Sequence, residues 1–151
     1  MSEHSIQLTW LKNDPEFEYE KYDRTHEIQF NGGQSIKSSA TKEFLGDDSH
    51  ANPEELMASA LSSCHMLTFL AIASKKKLVV EKYEDNPIAV LEKGSSGKLQ
   101  ITKIILKPKV TFSTGTTIDK ESLDKLHESA HRNCFIGNSI SSEISVEPII
   151  A

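Results

Sequence analysis

Apolar residues recur along this chain in two rhythms. Over the first forty residues they fall on alternate positions, as half-buried strands require. Residues 5–11 (SIQLTWL) and 16–21 (EFEYEK) read as strands separated by a turn at Asn13-Asp14-Pro15. Residues 25–30 and 34–40 flank Asn31-Gly32-Gly33, where Asn and Gly supply the positive φ of a tight hairpin. Residues 41–51 keep no period and carry Gly46-Asp47-Asp48-Ser49, which predicts a loop.

At Asn52 the rhythm becomes helical, and residues 52–76 (NPEELMASALSSCHMLTFLAIASKK) predict one long helix. Asn52 is a good cap, Pro53 suits the first turn, and Glu54 and Glu55 complement the N-terminal end of the dipole. Lys75, Lys76 and Lys77 complement the other end, as a solvated terminus. Met57, Ala60, Leu61, Cys64, Leu67 and Ala71 share one stripe, while Leu56, Phe69 and Ile72 lie off it. A helix with so little polar surface should be buried on most sides, with Cys64 inside or at the floor of a cleft.

The alternating rhythm then returns over residues 78–83 and 88–92, with a turn at Gly94-Ser95-Ser96-Gly97. Residues 99–112 read as one long strand with a change of phase. Leu99 and Ile101 share one parity; Ile104, Leu106, Val110 and Phe112 share the other. That change predicts a bulge near Lys103 and a sharp bend, with Pro108 at an edge or a second irregularity. A second helix is expected over residues 119–133, capped by Asp119, with Leu123, Leu126, His127, Ala130 and Cys134 on one face. Ile144, Val146 and Ile150 close the chain as a strand. Strands, buried helix, strands, second helix, strand make an α+β architecture. The chain reads as a single domain, 1–151, in which residues 1–40 form an N-terminal sheet arm and residues 78–151 carry the second core helix, ending at Cys134.

Composition narrows the function. A net charge of −5 without a basic stripe argues against nucleic acid as partner. No basic-then-apolar leader opens the sequence, and the strongest apolar run, residues 66–73, is too short to span a bilayer. The expected location is therefore the cytoplasm, without membrane partners. Two cysteines in a reducing compartment point to thiol chemistry before a structural staple.

Cys64 alone could be a small core hydrophobe. Cys134, at the end of the other core helix beside His127 and His131, changes that reading. If the helices pack together, the sulfurs can meet as a reactive cysteine and its resolver. A nucleophilic thiolate in a buried setting needs a nearby cation. The candidates are Arg24 and His65, with His127, His131 and Arg132 behind them. His65 follows Cys64 directly and points about 100° away, so it is a poor direct partner.

NPEELMASALSSCHM resembles the signature of the OsmC/Ohr superfamily, the osmotically inducible and organic hydroperoxide resistance proteins. In that pattern an N-P-E-x-L segment precedes an active cysteine by ten positions, and a second cysteine follows some seventy residues on. Glu54, Cys64 and Cys134 match in order and spacing, and YDRTHEIQFNGG resembles a subgroup with an arginine before such a hairpin. The resemblance covers essentially the whole chain. It implies an OsmC-like fold, with antiparallel sheets wrapped around two core helices in an intertwined homodimer. It implies a thiol-dependent reductase of organic hydroperoxides that serves in oxidative-stress defence. Cys64 would be the peroxidatic cysteine, Cys134 the resolver, and Arg24, held by Glu54, the thiolate partner. The reductant would be a dithiol of the dihydrolipoyl kind, with no metal or flavin cofactor.

Geometry limits one role. Ten residues of helix rise about 15 Å and leave Glu54 about 80° around from Cys64, so Glu54 cannot touch Cys64 along a straight helix. Two alternatives stand beside the peroxidase. His127, His131 and Cys134 lie at i, i+4 and i+7 and could hold a metal with His65 or Cys64 as fourth ligand. A non-catalytic member of the fold would bind a small molecule with incidental thiols.

Overall fold

The structure is a computed structural model that describes residues 1–13 and 15–149; Asp14 of the expected turn and Ile150 of the expected last strand lie outside the described residues. The chain divides into two compact units, Met1–Leu56 and Met57–Ala151.

In the first unit β1 (Ile6–Thr9), β2 (His26–Phe30) and β3 (Ser35–Ser38) form an antiparallel sheet in chain order. Ile28 faces both Leu8 and Ile36, so one apolar row crosses all three strands. The β2–β3 hairpin closes as the sequence predicts: Gly33, at φ 84°, donates to the Phe30 carbonyl at 3.0 Å. Residues 16–21 do not form the expected strand. The Glu18 carbonyl accepts from the amides of Lys21 and Tyr22, both at 3.0 Å, and the chain turns there. All six side chains are exposed, so no burial drives an extended ribbon, and folding back lets Lys21 meet both Glu16 and Glu18. Phe17 and Tyr22 instead gather on Trp10, whose indole N–H donates to the Asp23 carbonyl at 2.7 Å.

The loop that follows is irregular apart from one 3-10 turn at Lys42–Phe44. Its Gly46 is obligatory: a Cβ there would stand 1.8 Å from the Ala40 carbonyl oxygen. Helix α1 (Pro53–Lys75) opens on a reciprocal cap. The Glu55 amide donates to Asn52 Oδ1 at 2.9 Å, and the Asn52 amide to Glu55 Oε2 at 3.1 Å.

In the second unit β4 (Val80–Glu84) pairs antiparallel with β7 (Lys109–Phe112), and β5 (Ile88–Lys93) with β6 (Leu99–Leu106). Helix α2 (Lys120–Asn133) follows, then β8 (Glu143–Val146), which joins β6 in parallel and makes that sheet mixed rather than purely antiparallel. The four strands β4 to β7 are one long hairpin bent at a corner. Glu84 faces Lys109 and Ile88 faces Ile105, with three residues between these pairs on either arm, so the register passes the corner unchanged. Buried Pro108 lies in the corner, and the Lys107 amide donates to Asp85 Oδ1 at 2.7 Å across it. Thr102 is the extra residue between the Val90–Lys103 and Leu91–Ile101 pairs, a bulge where the phase change predicts one.

This bent hairpin carries two apolar clusters. Ile104 and Leu106 pack with Ala58, Leu61 and Cys134, and Val110 packs with Phe69, Ala73, Leu126 and Ala130. The buried face of α1 is therefore Ala58, Leu61, His65, Phe69 and Ala73, rotated from the expected stripe. Of that stripe, Ala60, Leu67 and Ala71 are exposed, Leu67 by 60%. In a helix apolar on nearly every side the period selects no face, and the partners choose. Nor is the helix buried on most sides: one face stays open. At 23 residues it is long and apolar enough to cross a bilayer by length and composition, more than its strongest apolar run suggested, yet its inner face packs as a core helix.

Candidate active site

Cys64 sits in the middle of α1 and Cys134 caps α2, with its amide on the His131 carbonyl at 3.2 Å. The structure brings the two together as free thiols. They differ in access: Cys64 is half-buried, next to the open face of α1, and Cys134 is wholly buried. Burial foremost, and then the Cys64 side chain beside it, push the Cys134 thiol up to about 11; the Gly137 amide, 3.3 Å from Sγ, pulls the other way. At neutral pH Cys134 is a thiol, held against a sulfur that solutes can approach.

Two of the named cations are not cations. His65 and His127 are both buried, and desolvation lowers each to about 4, so both rings are neutral at pH 7. They bond to each other: His65 Nε2 lies 3.1 Å from His127 Nδ1, with ring planes 5° apart. Phe69 stacks on His127 at 4.4 Å. Among the described residues the outer nitrogens, His65 Nδ1 and His127 Nε2, have no partner, and neither has the buried hydroxyl of Tyr83. The expected apolar stripe does not include His65; the spacing Leu61, His65, Phe69, Ala73 is the signal that puts it inside. Arg132 is exposed, beside Glu128.

Within the first unit, Arg24 donates to the carbonyls of Tyr22 and Tyr19 at 2.9 and 2.6 Å, and its guanidinium lies 4.0 Å from the centre of the Tyr22 ring. Glu54 sits in the first turn of α1, and the expected Glu54–Arg24 ion pair is not formed among the described residues. The three-ligand metal face is divided too. His127 Nδ1 is taken by His65 and Cys134 by Cys64, and among the described residues no three His, Cys, Asp or Glu side chains converge.

Residues 46–148 match the family described as OsmC-like protein. The chain belongs to that family. A solved OsmC-like protein of unknown function from Vibrio cholerae is 44% identical, with a TM-score of 0.94 over 99% of this chain and 100% of that one. An organic hydroperoxide resistance protein from Elizabethkingia anophelis shares the fold at 18% identity, with a TM-score of 0.69 over 99% of this chain and 97% of its own. The uncharacterized protein YmaD of Bacillus subtilis is 24% identical over 110 residues, 72% of this chain and 73% of YmaD. The α+β architecture, two helices with antiparallel and mixed sheets, is thus that of OsmC-like proteins.

Proposed function

We propose that this OsmC-like protein is a thiol peroxidase that reduces organic hydroperoxides through Cys64 and Cys134. The observation that carries this reading is the pair of free thiols in contact, one reachable and one buried. The Cys64 thiolate attacks the distal oxygen of ROOH; the O–O bond breaks, RO⁻ leaves and takes a proton, and Cys64 becomes a sulfenic acid. The Cys134 sulfur then attacks the sulfenic sulfur, and water leaves as the disulfide forms. An external dithiol, such as a dihydrolipoyl group, reopens it by exchange and is itself oxidised. Apolar residues around Cys64 (Met57, Leu61, Ile101) favour an alkyl peroxide over a small polar one.

The named hydroperoxide-resistance relative supports the substrate class. Arg24 and Glu54 enter on family resemblance, as the cation beside the thiolate and the residue that would hold it once Arg24 leaves the Tyr19 and Tyr22 carbonyls. A second copy of this chain would cover the open face of α1, so we place the enzyme in a homodimer. Two free thiols suit a reducing cytoplasm.

The deciding experiment follows cumene hydroperoxide consumption with dihydrolipoamide as reductant. Wild type should turn over and Cys64→Ser should not. Full activity in Cys64→Ser would remove the mechanism. Cys134→Ser should give one turnover and stop with Cys64 oxidised; an unchanged steady-state rate would take Cys134 out of the cycle.

A further inference from the structure

We propose that His65 and His127 are positioning residues for the thiol pair: their hydrogen bond fixes the placement of α1 on α2 in which Cys64 and Cys134 meet. His65 is the residue after Cys64 on α1, and His127 lies seven residues before Cys134, about two turns along the same face of α2. Apart from the contact of Cys64 with Cys134 itself, their bond is the only side-chain hydrogen bond that joins the two helices among the described residues.

The remaining contacts between the helices are apolar, through Phe69, Ala73, Leu126 and Ala130, and apolar contact has no direction. Such a surface tolerates small sliding and rotation; a 3.1 Å nitrogen–nitrogen bond between rings 5° from parallel does not. The clamp is itself held, because Phe69 stacks on His127 and Tyr83 lies against the rings of Phe69 and His127.

Stability does not account for the pair. Each imidazole is buried with one nitrogen unpartnered among the described residues, an arrangement that two apolar side chains of similar size would avoid. What a directional bond adds to an apolar contact is a single register. A displaced α1 would carry Cys64 away from a sulfur that is fixed in the core, and the thiols would lose their mutual effective concentration.

The inference rests on the two-thiol reading but can be tested without peroxide. The full chain is equilibrated in oxidised and reduced glutathione, quenched in acid, alkylated and weighed. Cys64 attacks glutathione disulfide and releases one glutathione thiolate; Cys134 attacks the mixed disulfide and releases the second. The two protein thiols thus pass two electrons to glutathione, and the equilibrium reports one thiol's effective concentration for the other. His127→Leu should lower it about tenfold, the size of one buried hydrogen bond. His127→Asn, which keeps a polar atom near the Nδ1 position, should restore it to within about threefold of wild type on the same scale. Val110→Ala loosens the same cluster without touching the pair and should leave the equilibrium unchanged. If His127→Leu does not fold, His65→Met with His65→Gln as its restoring partner gives the same reading. An equilibrium unmoved by the apolar variants, or moved equally by Val110→Ala, overturns the proposal. Wild type that forms the disulfide but consumes no peroxide would sink the peroxidase and leave this inference standing.

Discussion

Cys134 lies beside Cys64 in a site with no solvent exposure, and burial with that neighbour pushes its thiol up to about 11. The two thiols therefore should not behave alike. In the reduced protein a small alkylating reagent at pH 7 should label Cys64 well before Cys134. Replacing Cys64 by Ala removes the second largest cause of the raised Cys134 value, so that value should fall below about 11 but, with burial remaining, stay above the ordinary one. Thiolate absorbance at 240 nm across a pH series measures it. A Cys134 that titrates normally in Cys64→Ala would show that burial is not the main cause.

The histidine pair makes stability depend on acid. Both folded-state values lie near 4, below the ordinary 6.5, so between these limits the unfolded chain binds protons that the folded chain refuses. The contribution is complete above about pH 6.5 and is lost as pH falls toward 4, at up to about 1.4 kcal/mol per pH unit for each histidine. Urea unfolding at pH 7, 6 and 5 should show the decline, and His65→Met should flatten it. A flat profile in wild type would mean that the rings are solvated.

The open face of α1 predicts self-association. Leu67, exposed by 60% in the single chain, stands between Ala60 and Ala71 on that face. Wild type should sediment as a dimer and Leu67→Glu as a monomer, because covering a leucine is worth about 1.5–3 kcal/mol and covering a carboxylate costs more. Sedimentation equilibrium reads this directly; a dimeric Leu67→Glu would put the interface elsewhere.

Lys77 terminates α1 in the left-handed region, φ 59°. The Leu78 amide reaches the Ala73 carbonyl at 3.0 Å and the Lys77 amide that of Ser74 at 2.9 Å, a Schellman end that normally carries glycine. Lys77→Gly should stabilise the protein by about 1 kcal/mol, raising Tm by about 2–5 °C. A lower Tm would mean that the lysine side chain matters more than the backbone.

Different residues reveal why some of this was legible in the sequence and some was not. α2 declares its face, since polar residues fill the rest of it; Asp119 caps it as expected, accepting from the Ser122 amide at 2.7 Å. The bend after Leu106 shows in the parity of Ile104, Leu106, Val110 and Phe112, because side chains on a strand can only alternate. α1 hides its face because apolar residues lie all round it, and a histidine in the core line reads as polar. Residues 16–21 alternate by composition, with nothing on either side to bury them. The meeting of Cys64 and Cys134 could be stated only on condition that the helices pack, which is a fact of tertiary structure. The surroundings of Arg24 depend on two tyrosine carbonyls, and no sequence pattern encodes those.

The bent hairpin of β4 to β7 gives the second unit a single point of decision. Its pairing starts at the turn at residues 94–97, where the Gly94 amide meets the Lys98 carbonyl at 3.0 Å and Gly97 adopts φ 76°. From that turn β5 pairs with β6 through the Thr102 bulge, where the register shifts by one residue, and the shifted register rounds the corner at Pro108 into β4 and β7. One residue of slippage beyond the bulge would reverse the side chains on both arms past it and turn Ile104, Leu106 and Val110 outward together. Neither apolar cluster can then be misassembled alone: an error in this shared register exposes both.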